Sequence, residues 1–157
     1  MSSSVIGANI ASDSTTALFG LGDLYTDSSG DQFVYVKASS AIAQYDCATY
    51  DETFNTVVAP VSTSNKARGD KLGVAPVAIA SGSYGWLQIY GPCTVNVLGS
   101  CNANVELTIT ATAGALDYAT TSSLVVADGI VITTSNSASS AAAKAGVLNF
   151  PACGRTL

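Results

Sequence analysis

Two segments set the limits on what this chain can become. In Tyr84-Gly-Trp-Leu-Gln-Ile-Tyr90 and Val105-Glu-Leu-Thr-Ile-Thr110 the side chains alternate with a period of two. That is the period of a strand, whose successive side chains point to opposite faces. The first segment places Leu87 and Ile89 on one face and Trp86, Gln88 and Tyr90 on the other; the second buries Val105, Leu107 and Ile109. No long stretch shows the 3.6-residue period of an amphipathic helix. Further runs rich in β-branched, aromatic or apolar residues lie at Gln32–Lys37, Thr56–Val61, Leu72–Ala80, Thr94–Val97, Leu124–Val126, Gly129–Thr133 and Gly146–Phe150. Turn-forming residues separate them, as in Asp27-Ser-Ser-Gly30, Ser81-Gly82-Ser83 and the stretch from Leu98 to Asn104.

About 8–10 short strands spaced in this way predict an all-β fold, a single small β-barrel or β-sandwich over residues 31–157. Proline chemistry sets expected boundaries. Gly91-Pro92 and Pro151 are expected to end strands, and Pro60 to mark an edge strand, because proline cannot donate to a ladder. The low-complexity stretch Thr134–Ala145 reads as a loop tip or a short Ala-rich helix.

Residues 1–30 read differently, as an extended N-terminal arm. They are Ser-rich and lack periodicity, with apolar residues at Val5, Ile6, Ile10, Leu18, Phe19, Leu21 and Leu24. Such beads on a polar string can enter pockets on a partner; equally, residues 17–25 can enter this domain's own core. The aromatic set Tyr84, Trp86 and Tyr90 is the second candidate interface, since Trp and Tyr bury much area at small entropic cost. The competing reading places Trp86 in the core.

Composition bears on function through charge. Only 11% of residues are ionisable as Asp, Glu, Lys or Arg, against roughly 25% in an ordinary domain. A lone soluble domain keeps itself monomeric with charges of both signs, so a surface this neutral suits burial against partners or a Ser/Thr-rich secreted coat. The net charge is −5 and the six basic residues are scattered apart from a loose group at 66–71. No basic stripe is present to displace counterions from phosphate, so no nucleic-acid partner is expected. No apolar run approaches the roughly 18 residues of a membrane span, and the N-terminus lacks a signal-peptide pattern. Synthesis in a bacterial cytoplasm without export is the expectation.

The chain contains no histidine. That removes the commonest general base and the usual partner of a Ser or Cys nucleophile. The carboxylates fall mostly in predicted turns, and Asp51-Glu52 is the only adjacent pair. No phosphate-binding loop, nucleophile elbow or dinucleotide fingerprint occurs. No enzymatic activity, cofactor or metal site is expected. The four cysteines, Cys47, Cys93, Cys101 and Cys153, fit no zinc spacing. Disulfides remain open, Cys93 and Cys101 flanking a hairpin, but a reducing compartment favours thiols serving as small hydrophobes.

Several blocks resemble the small head-decoration, or cement, proteins of tailed bacteriophages. They are Phe33–Asp46, Leu72-Gly-Val-Ala75, Tyr84–Gly91, Thr110–Asp117, Asp128-Gly-Ile130 and Leu148-Asn-Phe-Pro151. The likeness spans about residues 32–151 and rests on the order and spacing of short blocks; the Ser-rich arm and the four cysteines fall outside it. It implies a β-barrel or sandwich on the capsid exterior of a virion, commonly a homotrimer, bound to the major capsid protein and without catalytic residues. The alternative function is a head-fibre or adhesin-type module that binds a host surface or carbohydrate.

Overall fold

The computed structural model describes residues 7–58, 69–118 and 124–157. Every regular element there is a strand, so the fold is all-β as the alternation predicts. The ten strands are Leu24–Thr26 (β1), Gln32–Ala38 (β2), Cys47–Tyr50 (β3), Asn55–Val58 (β4), Lys71–Val74 (β5), Tyr84–Val97 (β6), Leu107–Ile109 (β7), Leu116–Tyr118 (β8), Val125–Ile132 (β9) and Ala142–Thr156 (β10).

The ladders close back on themselves twice. β2 runs parallel to β4, β4 pairs antiparallel with β3, β3 with β5, and β5 touches β6, which pairs again with β2. This makes a first ring of five strands. A second ring runs β6–β8–β7–β9–β10 and returns to β6. The 14-residue β6 belongs to both rings. Closure of this kind leaves few open sheet edges to recruit stray strands.

Alternation divides the side chains among three clusters. Val34, Val36 and Ala38 of β2 join Leu87 and Ile89 of β6 in the first core cluster. Val95 and Val97, further along β6, join Leu107, Ile109, Leu116, Ile132 and Leu148 in the second. β3 serves both, with Ala48 and Tyr50 on one side and Cys47 on the other. The opposite face of β2 and β6 carries Phe33, Tyr35 and Trp86, which form a third, aromatic cluster. β2 is therefore buried on both faces.

What covers that third cluster is the chain's own N-terminal region. The described part of residues 1–30 lies against the domain. Ser14 and Tyr84 exchange two backbone hydrogen bonds of 2.9 and 2.8 Å, the Leu18 N–H donates to Tyr35 Oη at 3.1 Å, and Asp13 Oδ2 accepts from the Ala80 N–H at 2.9 Å. Gly22 donates to the Tyr35 carbonyl, and the Tyr35 N–H donates to Asp23. β1 then folds back on β2 through a turn in which Asp27 Oδ1 accepts from the Ser29 and Asp31 N–H groups. Of the two placements open for residues 17–25, this is contact with the domain itself.

Several expected boundaries are corrected. Gly91-Pro92 does not end β6. Pairing with β2 stops at Tyr90 and pairing with β8 begins at Val97, so Pro92 lies where β6 is flanked only by β10; a missing N–H is tolerated on such a one-sided stretch. Pro151 does not end β10 either. Phe150 adopts a left-handed backbone with φ of 47°, and the register against β9 shifts between Leu148 and Ala152. The proline is accommodated in a bulge. Ala142–Ala145 is strand rather than helix or loop, because its ladder to Val97–Thr94 overrides a weak local preference. Leu72–Ala80 is strand only to Val74, before Pro76. Val105 is half-buried and precedes β7, whereas Leu107 and Ile109 are buried. The expected edge at Pro60 lies outside the described residues.

Candidate interaction surface

Trp86 is an interior residue of this chain, 2% exposed. Its ring centroid lies 4.9 Å from that of Tyr35, 5.3 Å from Phe19 and 5.9 Å from Tyr25. Phe19 also meets Tyr35 edge-on at 5.3 Å. Ile10 packs on the same cluster, half-buried. Tyr84 is half-buried too, stacked on Tyr35 at 6.2 Å with Lys37 Nζ 5.7 Å from its centroid. Of the residues singled out in the sequence, then, Ile10, Phe19, Tyr84 and Trp86 hold the N-terminal segment to the sheet. Val5 and Ile6 lie outside the described residues.

Leu18 and Tyr90 are the two that face outward. Leu18 is 65% exposed although its N–H is bonded to Tyr35 of the buried aromatic cluster, and Leu21, three residues on, is exposed as well. Tyr90 forms a ridge with Phe150: the rings stack at 5.2 Å with 29° between planes, and Phe150 is 55% exposed. Sequence reading missed Phe150 as a surface residue, because its outward position follows from the bulge in β10.

The ridge borders an open sheet face. On β6, even-numbered residues point out of the second ring, and Pro92 stands opposite Val147 of β10, itself opposite Val131 of β9. Val131 and Val147 are both exposed. The next row holds Thr94 opposite Ala145, with Thr133 bonded to the Ala145 carbonyl. Neither row carries an ionisable group. Val131 and Val147 are far apart in sequence, so only the register reveals that they adjoin.

Two grooves flank the ridge. One, of about 410 Å³, is walled by Leu24, Phe54, Lys71, Ile89 and Phe150. The other, of about 630 Å³, is walled by Asp31, Tyr90, Pro92, Val147 and Asn149. Burial, and after it the neighbouring Asp27, pushes the Asp31 carboxyl up from its ordinary pKa. Phe54, like Phe150, has a positive φ, 59°, a conformation that costs on the order of 1–3 kcal/mol and persists where its surroundings over-determine it. Asp51 supplies part of that constraint: its Oδ1 accepts from the Thr53 hydroxyl and from the Thr53 and Asn55 N–H groups. The same bonds, that of the Thr53 hydroxyl foremost, hold the Asp51 carboxyl below its usual range.

Gln88 fixes the ridge from beneath. It is 7% exposed, and its Nε2 donates to the carbonyls of Tyr90 at 3.2 Å and Pro92 at 2.7 Å. Gln88→Leu keeps much of the volume and strips both carbonyls of their donor. The expected cost is about 1–3 kcal/mol, read as a shift in the urea unfolding midpoint; an unchanged midpoint contradicts the assigned role.

Cys47 and Cys101 are buried in the second cluster with Cys153, and Cys93 packs against it. Cys47, Cys93 and Cys101 are thiols rather than disulfides. Burial pushes Cys93 up to about 12, with Asp31 adding to the shift, and drives Cys47 upward as well. Thiols held protonated in this way are poor nucleophiles and serve as small apolar side chains. Among the described residues, no group of three or more His, Cys, Asp or Glu side chains is arranged to hold a metal ion.

The chain matches no protein-family model and no curated protein.

Proposed function

We propose that this protein is a capsid decoration, or cement, protein: a structural subunit that binds the outside of an assembled phage head and bridges subunits of its major capsid protein. The resemblance of residues 32–151 to that class supports the reading. The observation that carries it is the exposure of Leu18, at 65%, and of Leu21, three residues on, in a segment bound to the domain's own aromatic layer. Large aliphatic side chains held in water by a rigid support gain most by burial against a partner. A ligand that binds only the assembled shell stabilises it by mass action, with no chemical step. Its sparse charge, 11% of residues, suits a subunit that spends its working life covered.

The test is cosedimentation of the full chain with purified heads. Burying a leucine contributes roughly 1.5–3 kcal/mol, so Leu18→Glu combined with Leu21→Glu is expected to weaken decoration more than a hundredfold while the unfolding transition stays in place. Undiminished decoration by the double variant, or a wild-type chain that leaves heads bare, overturns the reading. Many copies on each particle accord with decoration, whereas a few copies point to a head fibre.

A further inference from the structure

We infer that the groove beside the first ring of strands, where Tyr50 of β3 meets Lys71 of β5, binds a neutral saccharide. This goes beyond shell binding and does not depend on it.

Tyr50 carries an unused hydroxyl. The residue is 8% exposed, yet its Oη makes no hydrogen bond to a described residue. Every fully enclosed side-chain N or O atom among the described residues has a partner, so this hydroxyl is not sealed in. It opens on the groove that the residue lines. A side chain so deeply buried, with its one polar atom left over, is placed to meet a ligand. Burial also pushes the phenol's pKa up, which keeps it a donor.

The groove has two compartments, of about 410 and 360 Å³, that share Tyr50, Phe54 and Lys71. Ligand sites span roughly 300–1,000 Å³. The larger compartment continues into Leu24, Ile89 and Phe150. The smaller continues into Asp51, Glu52 and Asp70. Register sets Lys71 opposite Tyr50, with Nζ 6.0 Å from the ring centroid. Neither Lys71 nor any of these carboxylates forms an ion pair with a described residue.

These groups select the ligand's chemistry. Lys71 can only donate hydrogen bonds, and the ionised carboxylates can only accept them. An anion meets Lys71 but is repelled by Asp51, Glu52 and Asp70. A cation meets the carboxylates but offers Lys71 no acceptor. A sugar hydroxyl both donates and accepts, so one ring bearing several serves both sets without bringing charge. The C–H groups of that ring need an apolar wall, which Phe54 and Phe150 provide.

The test is titration of the full-length protein, followed by amide NMR shifts, with trimers of glucose, mannose, galactose, rhamnose and N-acetylglucosamine. At least one is expected to bind with a Kd below about 5 mM and to move the amides of Tyr50, Phe54 and Lys71. Tyr50→Phe removes only the hydroxyl and is expected to weaken that binding about fivefold. Its urea midpoint is expected to stay in place, because the hydroxyl bonds nothing among the described residues. Lys71→Met, at an exposed position, is expected to weaken binding likewise. Silence at these amides with every sugar up to about 20 mM, or binding that neither substitution reduces, overturns the inference. So do larger shifts with trialanine or trilysine than with any sugar, which would assign the groove to a peptide. Decoration of heads is read separately by cosedimentation, so either idea can fail without the other.

Discussion

Trp86→Ala is expected to remove about 3–5 kcal/mol of stability, the usual cost of excising a buried tryptophan. For a chain of this length that lowers the melting temperature by roughly 6–20 °C. The reason lies in what the indole touches. Phe19 and Tyr25 reach it from the N-terminal segment and Tyr35 from the sheet, all with centroids within 6 Å. Removing it opens a cavity between two layers and also loosens the segment that carries Leu18. Calorimetry or urea denaturation reads the first effect, and protease cleavage within residues 8–22 reads the second. A variant that keeps wild-type stability and loses only binding to other molecules would return Trp86 to the role of an interface residue.

Gly91→Ala is expected to cost about 2–4 kcal/mol, well above the penalty that a left-handed backbone alone imposes on alanine. Two effects add. Gly91 has φ of +98°, and a Cβ placed there runs into the Asp31 carboxylate and approaches its Cα to 3.3 Å. Gly82 provides the control, because it too has a positive φ, of 82°, but nothing lies within 4 Å of the added carbon. Gly82→Ala is expected to cost about 1–2 kcal/mol, the conformational part alone. The difference between the two variants in urea denaturation measures the collision. It also reports on the ridge, since Gly91 joins Tyr90 to Pro92 and Asp31 lines the adjoining groove. Equal costs for the two substitutions would show that Asp31 moves aside freely and that the bend does not depend on glycine for space.

Both predictions concern parts of one strand, and they separate its two halves. The Trp86 end of β6 is covered by the N-terminal segment, and the Pro92 end is bare. That contrast makes the protein's exterior uneven. The exposed large apolar side chains are Leu18, Leu21 and Leu24 on the segment and Tyr90, Val131, Val147 and Phe150 on the bare sheet, with Leu24 and Phe150 walling one groove.

Period-two alternation at Tyr84–Tyr90 sufficed to place Leu87 and Ile89 in one core cluster and Trp86 on the opposite face, because side-chain direction in a strand is a local property. The all-β class followed from the same local signals. What stayed open was whatever depends on residues distant in sequence. Whether Trp86 was core or interface turned on Phe19 and Tyr25 reaching it from another segment. The exposure of Phe150 turned on a bulge that its pairing with β9 creates, and the continuation of β6 past Pro92 on the absence of a second neighbour there. The uncharged face appears only once register sets Val131 beside Val147 and Val147 beside Pro92. Alternation is written residue by residue, whereas adjacency between strands is decided by which ladders close, and that is a property of the whole chain.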